Sequence, residues 1–112
     1  MVHSKVELFE EELIQNAILF KALAHPARLR ILQFLAETKT CITGDICDEL
    51  PLSRTTVNQH LKELKGSELI KGEIDGVKTN YCLNSEKIFE LEKLLIGFTK
   101  SICVSCDTNN KC

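Results

Sequence analysis

After Gly66 the apolar residues stop recurring at threes and fours and begin to alternate. The runs "LIKGEID" and "KTNYCLN" flank Asp75-Gly76, and Asp-Gly between alternating apolar residues is a strong hairpin signal. Everything else with a clear period is helical. Immediately before the hairpin, "DICDELPLSRTTVNQHLKEL" reads as a short helix, a tight turn through Pro51-Leu52 and a longer Ser-capped helix. That is a helix-turn-helix, and a following two-stranded hairpin makes it a winged one. The expectation is a mainly α fold with a two-stranded β-wing between the fourth and fifth of five helices.

The remaining helices follow from the same periodicity. Residues 1–24 read as the first, with Val6, Phe9, Leu13, Ala17 and Phe20 as its stripe. "AHPARLRILQFL" opens the second, with Pro26 suited to a first helical position because its missing N–H is an orphan donor anyway. Ile31, Leu32, Phe34 and Leu35 then face the core. "TCITGDICDEL" is the third helix, with Thr43 as N-cap and Ile42, Ile46 and Leu50 inward; Pro51 ends it. In the fourth, Ser53 caps, Val57, Leu61 and Leu64 form the inner stripe, and Gly66 is the stop. "SEKIFELEKLLIGFTKSI" is the fifth, capped by Ser85, with Ile88, Leu91, Leu95, Phe98 and Ile102 on its apolar face. The first and last helices carry more apolar surface than one small domain needs, which points to a homodimer interface. Two-fold DNA binders use such an interface to place two reading helices one duplex turn apart.

With 112 residues the chain is the size of one domain. Residues 1–102 form the winged domain with its dimerisation helices, and 103–112 a cysteine-bearing tail. A net charge of −2 is not the signature of a chain that coats nucleic acid through charge alone, so DNA contact has to come from a local surface. No stretch reads as a signal peptide or a membrane span. The expected location is the cytoplasm, where thiols stay reduced. There, six cysteines point to metal binding or redox sensing rather than a disulfide scaffold.

The fourth helix carries the chemistry for reading DNA. Between its inner-stripe residues stand Ser53, Arg54, Thr55, Thr56, Asn58, Gln59, His60 and Lys62. Asn and Gln bond an adenine edge in two places, Arg a guanine edge, and Thr methyls touch thymine. Ser and Thr near a helix start donate to phosphates, as do the free N–H groups there. His60 also has a plainer reading, as a residue packed against the wing. Lys71 and Lys78 stand near the hairpin tip, where they can follow phosphates, although Glu73 and Asp75 beside them keep the wing from being strongly basic.

These stretches resemble the ArsR family of bacterial metal-responsive repressors. "FKALAHPARLRILQFL" is similar to the family's approach to its second helix, "DICDELPLSRTTVNQHLKELKGSELI" to its helix-turn-helix and "KGEIDGVKTNYCLN" to its wing. The resemblance implies a homodimeric, five-helix winged fold, operator binding without inducer, and release when a ligand binds. Arsenic-responsive members often carry Cys-x-Cys-x-x-Cys at the start of the third helix. Here Asp45-Ile46-Cys47 matches the end of that motif, but Cys41 is shifted and Thr43 stands at the middle position. Cys41 and Cys47 are separated by about 600° of helix rotation, so a regular helix does not place them on one face. Zinc-, cobalt- and nickel-type members carry His and Asp in the last helix, which here has no His.

The tail offers another site. Cys103 and Cys106 are three apart, on one face if the last helix continues, and Cys112 follows after five polar residues. Three thiolates select a soft ion: arsenite or antimonite, lead, or zinc or cadmium completed by a further ligand. Some arsenic-responsive family members carry thiols near the C-terminus, so the resemblance supports the same assignment. A Cys-x-x-Cys pair also forms disulfides, and a redox-sensing repressor of the same fold is the alternative. Cys82 and Cys47 read as packed small side chains, and Cys41 as a reactive thiol outside the tail. A thiol oxidoreductase is disfavoured, because such enzymes place the motif at a helix N-terminus and here it follows a helix.

Overall fold

The structure, a computed structural model, describes residues 8–38, 45–75 and 78–103. Among them the chain forms α1 (Glu11–Leu23), α2 (Pro26–Thr38), a short 3-10 helix (Asp45–Glu49), α3 (Arg54–Gly66), β1 (Ile70–Asp75), β2 (Lys78–Leu83) and α4 (Ser85–Ile102). Val6, Cys41, Ile42, Thr43, Cys106 and Cys112 lie outside the described residues. No helix among those described is long and apolar enough to cross a membrane.

Side chains from every helix meet in one core: Leu19 of α1, Ile31 and Leu35 of α2, Ile46 of the 3-10 helix, Val57, Leu61 and Leu64 of α3, and Leu91 of α4. Each fully buried aliphatic side chain contributes about 1.5–3 kcal/mol. The inner stripe of α3 is as the spacing predicts, with Val57 and Leu64 completely covered. Where a third α-helix is expected there is a five-residue 3-10 helix. Pro51 stops the segment from extending forward. Arg30 of α2 pairs with Glu37 of the same helix at 2.9 Å and reaches Glu49 of this short element at 3.7 Å.

α1 turns a different face inward from the one its apolar pattern suggests. It buries Asn16, Leu19 and Ala22, while Phe9, Leu13 and Ala17 are exposed. Phe20 meets Phe98 of α4 edge-on at 5.7 Å, and Leu95, Phe98 and Ile102 remain open to solvent. The two helices thus carry a shared apolar surface that the single chain does not cover.

The end of α3 sets the wing. Gly66 stays helical, and the left-handed position falls on Glu68, at φ 67°. The Leu69 N–H donates to Leu64 O and the Glu68 N–H to Lys65 O, the paired bonds of a Schellman cap. Leu64 and Leu69, the two residues such a cap brings together, are both fully buried. Asn84 Nδ2 donates to Glu68 O at 2.9 Å, which ties the cap to the start of α4. Asn84, not Ser85, is therefore the N-cap position of α4, and its side chain is engaged elsewhere. A non-glycine residue in left-handed geometry costs about 1 kcal/mol, so Glu68→Gly is expected to stabilise the fold by about that amount. A lowered thermal midpoint for the variant would show that the Glu68 side chain contributes more than its backbone strain costs.

β1 and β2 pair antiparallel from Ile70↔Leu83 to Asp75↔Lys78. A lone hairpin is marginal in water. This one is anchored at its base, where Leu69 and Ile70 are buried and Tyr81 and Leu83 pack on the core. Lys65 of α3 lies across it, since a Cβ at Gly72 would come 3.1 Å from Lys65 Nζ.

Candidate nucleic-acid interface

α3 is fixed on one side and open on the other. Its start is capped as the sequence predicts: the Thr56 N–H donates to Ser53 Oγ at 3.2 Å, and the two hydroxyls are 3.0 Å apart. The cap leaves the earliest amides of the helix facing outward with a partial positive charge. At about 100° per residue, Thr55, Gln59 and Lys62 stand opposite the buried Val57, Leu61 and Leu64. Arg54, Thr56 and Asn58 flank them, and all six are exposed. The side chains of Arg54, Asn58, Gln59 and Lys62 are engaged by no hydrogen bond or ion pair among the described residues. A row of unengaged amide, guanidinium and ammonium donors on a convex helix matches what base edges and phosphates present in a major groove.

His60, grouped with these residues in the sequence reading, lies on the other side. It is 8% exposed and turned toward the α1–α2 turn. Its Nδ1 accepts from Arg28 Nε at 3.1 Å, and its ring lies 4.2 Å from that of His25. Arg28 Nη1 also donates to the carbonyls of Lys21 and Ala22. His25 Nδ1 in turn accepts from the Ala27 N–H at 3.0 Å, which makes it the N-terminal cap of α2. Burial pulls the His60 pKa below its ordinary value; the neighbouring His25 and Arg28 add to this, and Glu63 opposes it. The helical angle was the signal for this placement, because 100° steps set position 60 about 40° from Leu64 and 60° from Val57, at the edge of the buried stripe.

On the wing, Lys71 is exposed opposite Cys82, and Glu73 is exposed opposite Asn80. Lys78 pairs with Asp75 in the ladder; its side chain lies outside what the structure describes.

One thiol differs from expectation. Cys82 is half-buried and disulfide-bonded rather than a packed free thiol, and its partner lies outside the described residues. Cys103 is free and exposed. It caps α4 at φ −96°, ψ 69°, so the regular helix ends there; Cys106 lies outside the described residues. Cys47 is free and half-buried against the core, as expected. Among the described residues no group of three or more His, Cys, Asp or Glu is placed to hold a metal ion.

A helix-turn-helix domain model matches residues 23–73, which run from the end of α1 into β1. The transcriptional repressor PagR of Bacillus anthracis is 34% identical over 94 residues, covering 84% of this chain and 92% of PagR. An uncharacterized HTH-type transcriptional regulator of Methanocaldococcus jannaschii is 33% identical over 85 residues, 76% of this chain and 96% of that protein. Among solved structures, one described as a possible transcriptional regulator for arsenical resistance superposes with a TM-score of 0.64 at 25% identity, covering 78% of this chain and 95% of its own.

Proposed function

The chain belongs to the ArsR-type winged helix-turn-helix transcriptional regulators, which bind DNA and are not enzymes, and from that premise we propose that it is a homodimeric repressor released from its operator by a soft thiophilic ion. The observation that carries the DNA role is the exposed, unengaged polar face of α3 on a helix whose opposite face is locked in the core. α3 enters the major groove, and the wing lysines Lys71 and Lys78 follow the phosphates. The inducer is arsenite or antimonite, with cadmium, lead or zinc as weaker candidates, held by Cys103, Cys106 and Cys112. The similarity to a protein described with arsenical resistance supports this choice, as does the free, exposed Cys103 at the end of α4. The disulfide at Cys82 supports a second reading, in which thiol oxidation rather than ion binding releases the DNA.

The DNA role is tested by fluorescence anisotropy on promoter DNA of the protein's own gene, with base-substituted competitors. Gln59→Ala is expected to narrow the gap between operator and competitor by about 1–3 kcal/mol. Lys71→Ala is expected to weaken every sequence alike and reduce the salt slope by about one. If both variants matched the unsubstituted protein on every DNA, α3 and the wing would not be the reading surface.

A further inference from the structure

We propose that His25, Arg28 and His60 are positioning residues that hold α3 in its operator-binding orientation only while the His60 imidazole is neutral, so that operator affinity falls as a proton binds there. The inference rests on the reading of α3 as the operator-reading helix.

The hydrogen bonds fix the protonation state that the cluster needs. His25 Nδ1 accepts from the Ala27 N–H and His60 Nδ1 accepts from Arg28 Nε. A nitrogen that accepts carries no proton, so each ring holds its single proton on Nε2, and an imidazolium has no acceptor left. Protonating His60 sets an N–H against the Arg28 N–H. It also places a cation beside that guanidinium and beside the His25 ring, 4.2 Å away.

The cluster spans three elements, which is why it acts on position. Arg28 of α2 reaches back to the Lys21 and Ala22 carbonyls at the end of α1 and forward to His60 of α3. When the bond to His60 is lost, α3 loses its only side-chain hydrogen bond to α2 among the described residues, while the apolar core on its inner stripe remains. The charged groups around His60 are Arg28 from α2, His25 from the turn and Glu63 on α3 itself; Lys21 of α1 lines the groove that Arg28 and Glu63 share. Glu63 favours the charged ring, but burial, His25 and Arg28 outweigh it, and the His60 pKa is lowered.

The sign follows from that direction. A His whose folded value lies below its ordinary one of about 6.5 supports the native arrangement fully above that ordinary value. The support is lost as the pH falls through the folded value. A His that touched DNA phosphate would behave oppositely, gaining affinity as the pH falls.

The test is operator affinity between pH 7.5 and 5.5, with helicity followed by circular dichroism at each pH so that only folded protein is compared. The unsubstituted protein is expected to lose affinity toward acid pH, by up to about tenfold per pH unit for each proton excluded from the complex. Asparagine places a non-titrating acceptor near the position of Nδ1 and is a good cap, so the double variant His25→Asn/His60→Asn is expected to give a flat profile. Should the double variant fail to fold, His25→Asn alone decides, because His25 is exposed; it is expected to give a shallower slope and a raised His60 pKa by NMR. A flat or rising profile for the folded unsubstituted protein would overturn the proposal, and so would an undiminished slope in the variants. A protein that bound no promoter DNA even at pH 7.5 would overturn the operator reading, and this proposal with it.

Discussion

Leu95→Glu is expected to yield a folded monomer that holds its operator about 10²–10⁴-fold more weakly. Leu95 is 40% exposed and lies on the apolar surface that α4 shares with α1, together with Phe98 at 37% and Leu13 at 45%. Covering these residues with a second copy would bury apolar surface, and the proposed two-fold pairing would place two α3 helices on half-sites about 34–36 Å apart. Each half-site then binds at the high effective concentration set by the other, and that advantage disappears in the monomer. A glutamate at a position already facing water does not disturb the protomer's own core, but buried between two copies it would be a charge without a partner. Leu91→Glu provides the contrast, because Leu91 is 7% exposed and belongs to the core; that change is expected to unfold the chain. Sedimentation gives the mass and anisotropy the affinity. A Leu95→Glu protein that sediments as a dimer, or a monomer that binds as tightly as before, would show that this surface is not the interface.

The parts of the fold that were legible in the sequence are those where one local rule acts without competition. The inner stripe of α3, the Ser53 cap, Pro26 at the start of α2 and the two strands that follow α3 are read from periodicity and capping chemistry alone, and the structure has all of them. The differences arise where two demands meet. α1 is apolar on more than one side, so its pattern does not say which side the protomer buries; the structure buries Leu19 and Ala22 and leaves Leu13 open. Gly66 looks like a helix stop, yet the chain has to deliver Leu69 and Ile70 into the core. The left-handed residue is therefore Glu68, two positions later. His60 has the chemistry of a reading residue but the helical angle of a core one. The exposed polar face of α3 was thus legible residue by residue, except at the position where a polar side chain finds its partners inside the protein. The thiols were least legible, because disulfide pairing depends on distances that spacing does not give; the bond at Cys82 has no signal in the sequence.

Cys103→Ser is expected to leave operator binding in the absence of inducer unchanged and to abolish release by arsenite. Cys103 is free and exposed at the end of α4, next to Ile102 on the apolar surface proposed to hold the dimer. An ion held there by three thiolates ties the chain beyond the helix to the interface and favours a dimer geometry in which the α3 helices no longer match adjacent major grooves. The ion shifts that equilibrium only by its differential affinity for the two states. A difference of about 3 kcal/mol lowers DNA affinity more than a hundredfold, and removing one of three soft ligands removes most of it. Binding requires deprotonated thiols, so it is expected to release protons and to weaken as the pH falls. The measurement is displacement of labelled operator by arsenite, with hydrogen peroxide in a parallel arm and with Cys47→Ser and Cys82→Ser beside Cys103→Ser. Loss of the arsenite response in Cys103→Ser alone would support the ion site on the last cysteines. Loss of a peroxide response in Cys82→Ser, with arsenite inert on every protein, would favour the disulfide-switched repressor. Retention of the full arsenite response in Cys103→Ser would remove Cys103 from the ligand set, because an ion that had lost one of three thiolates could not keep its differential affinity.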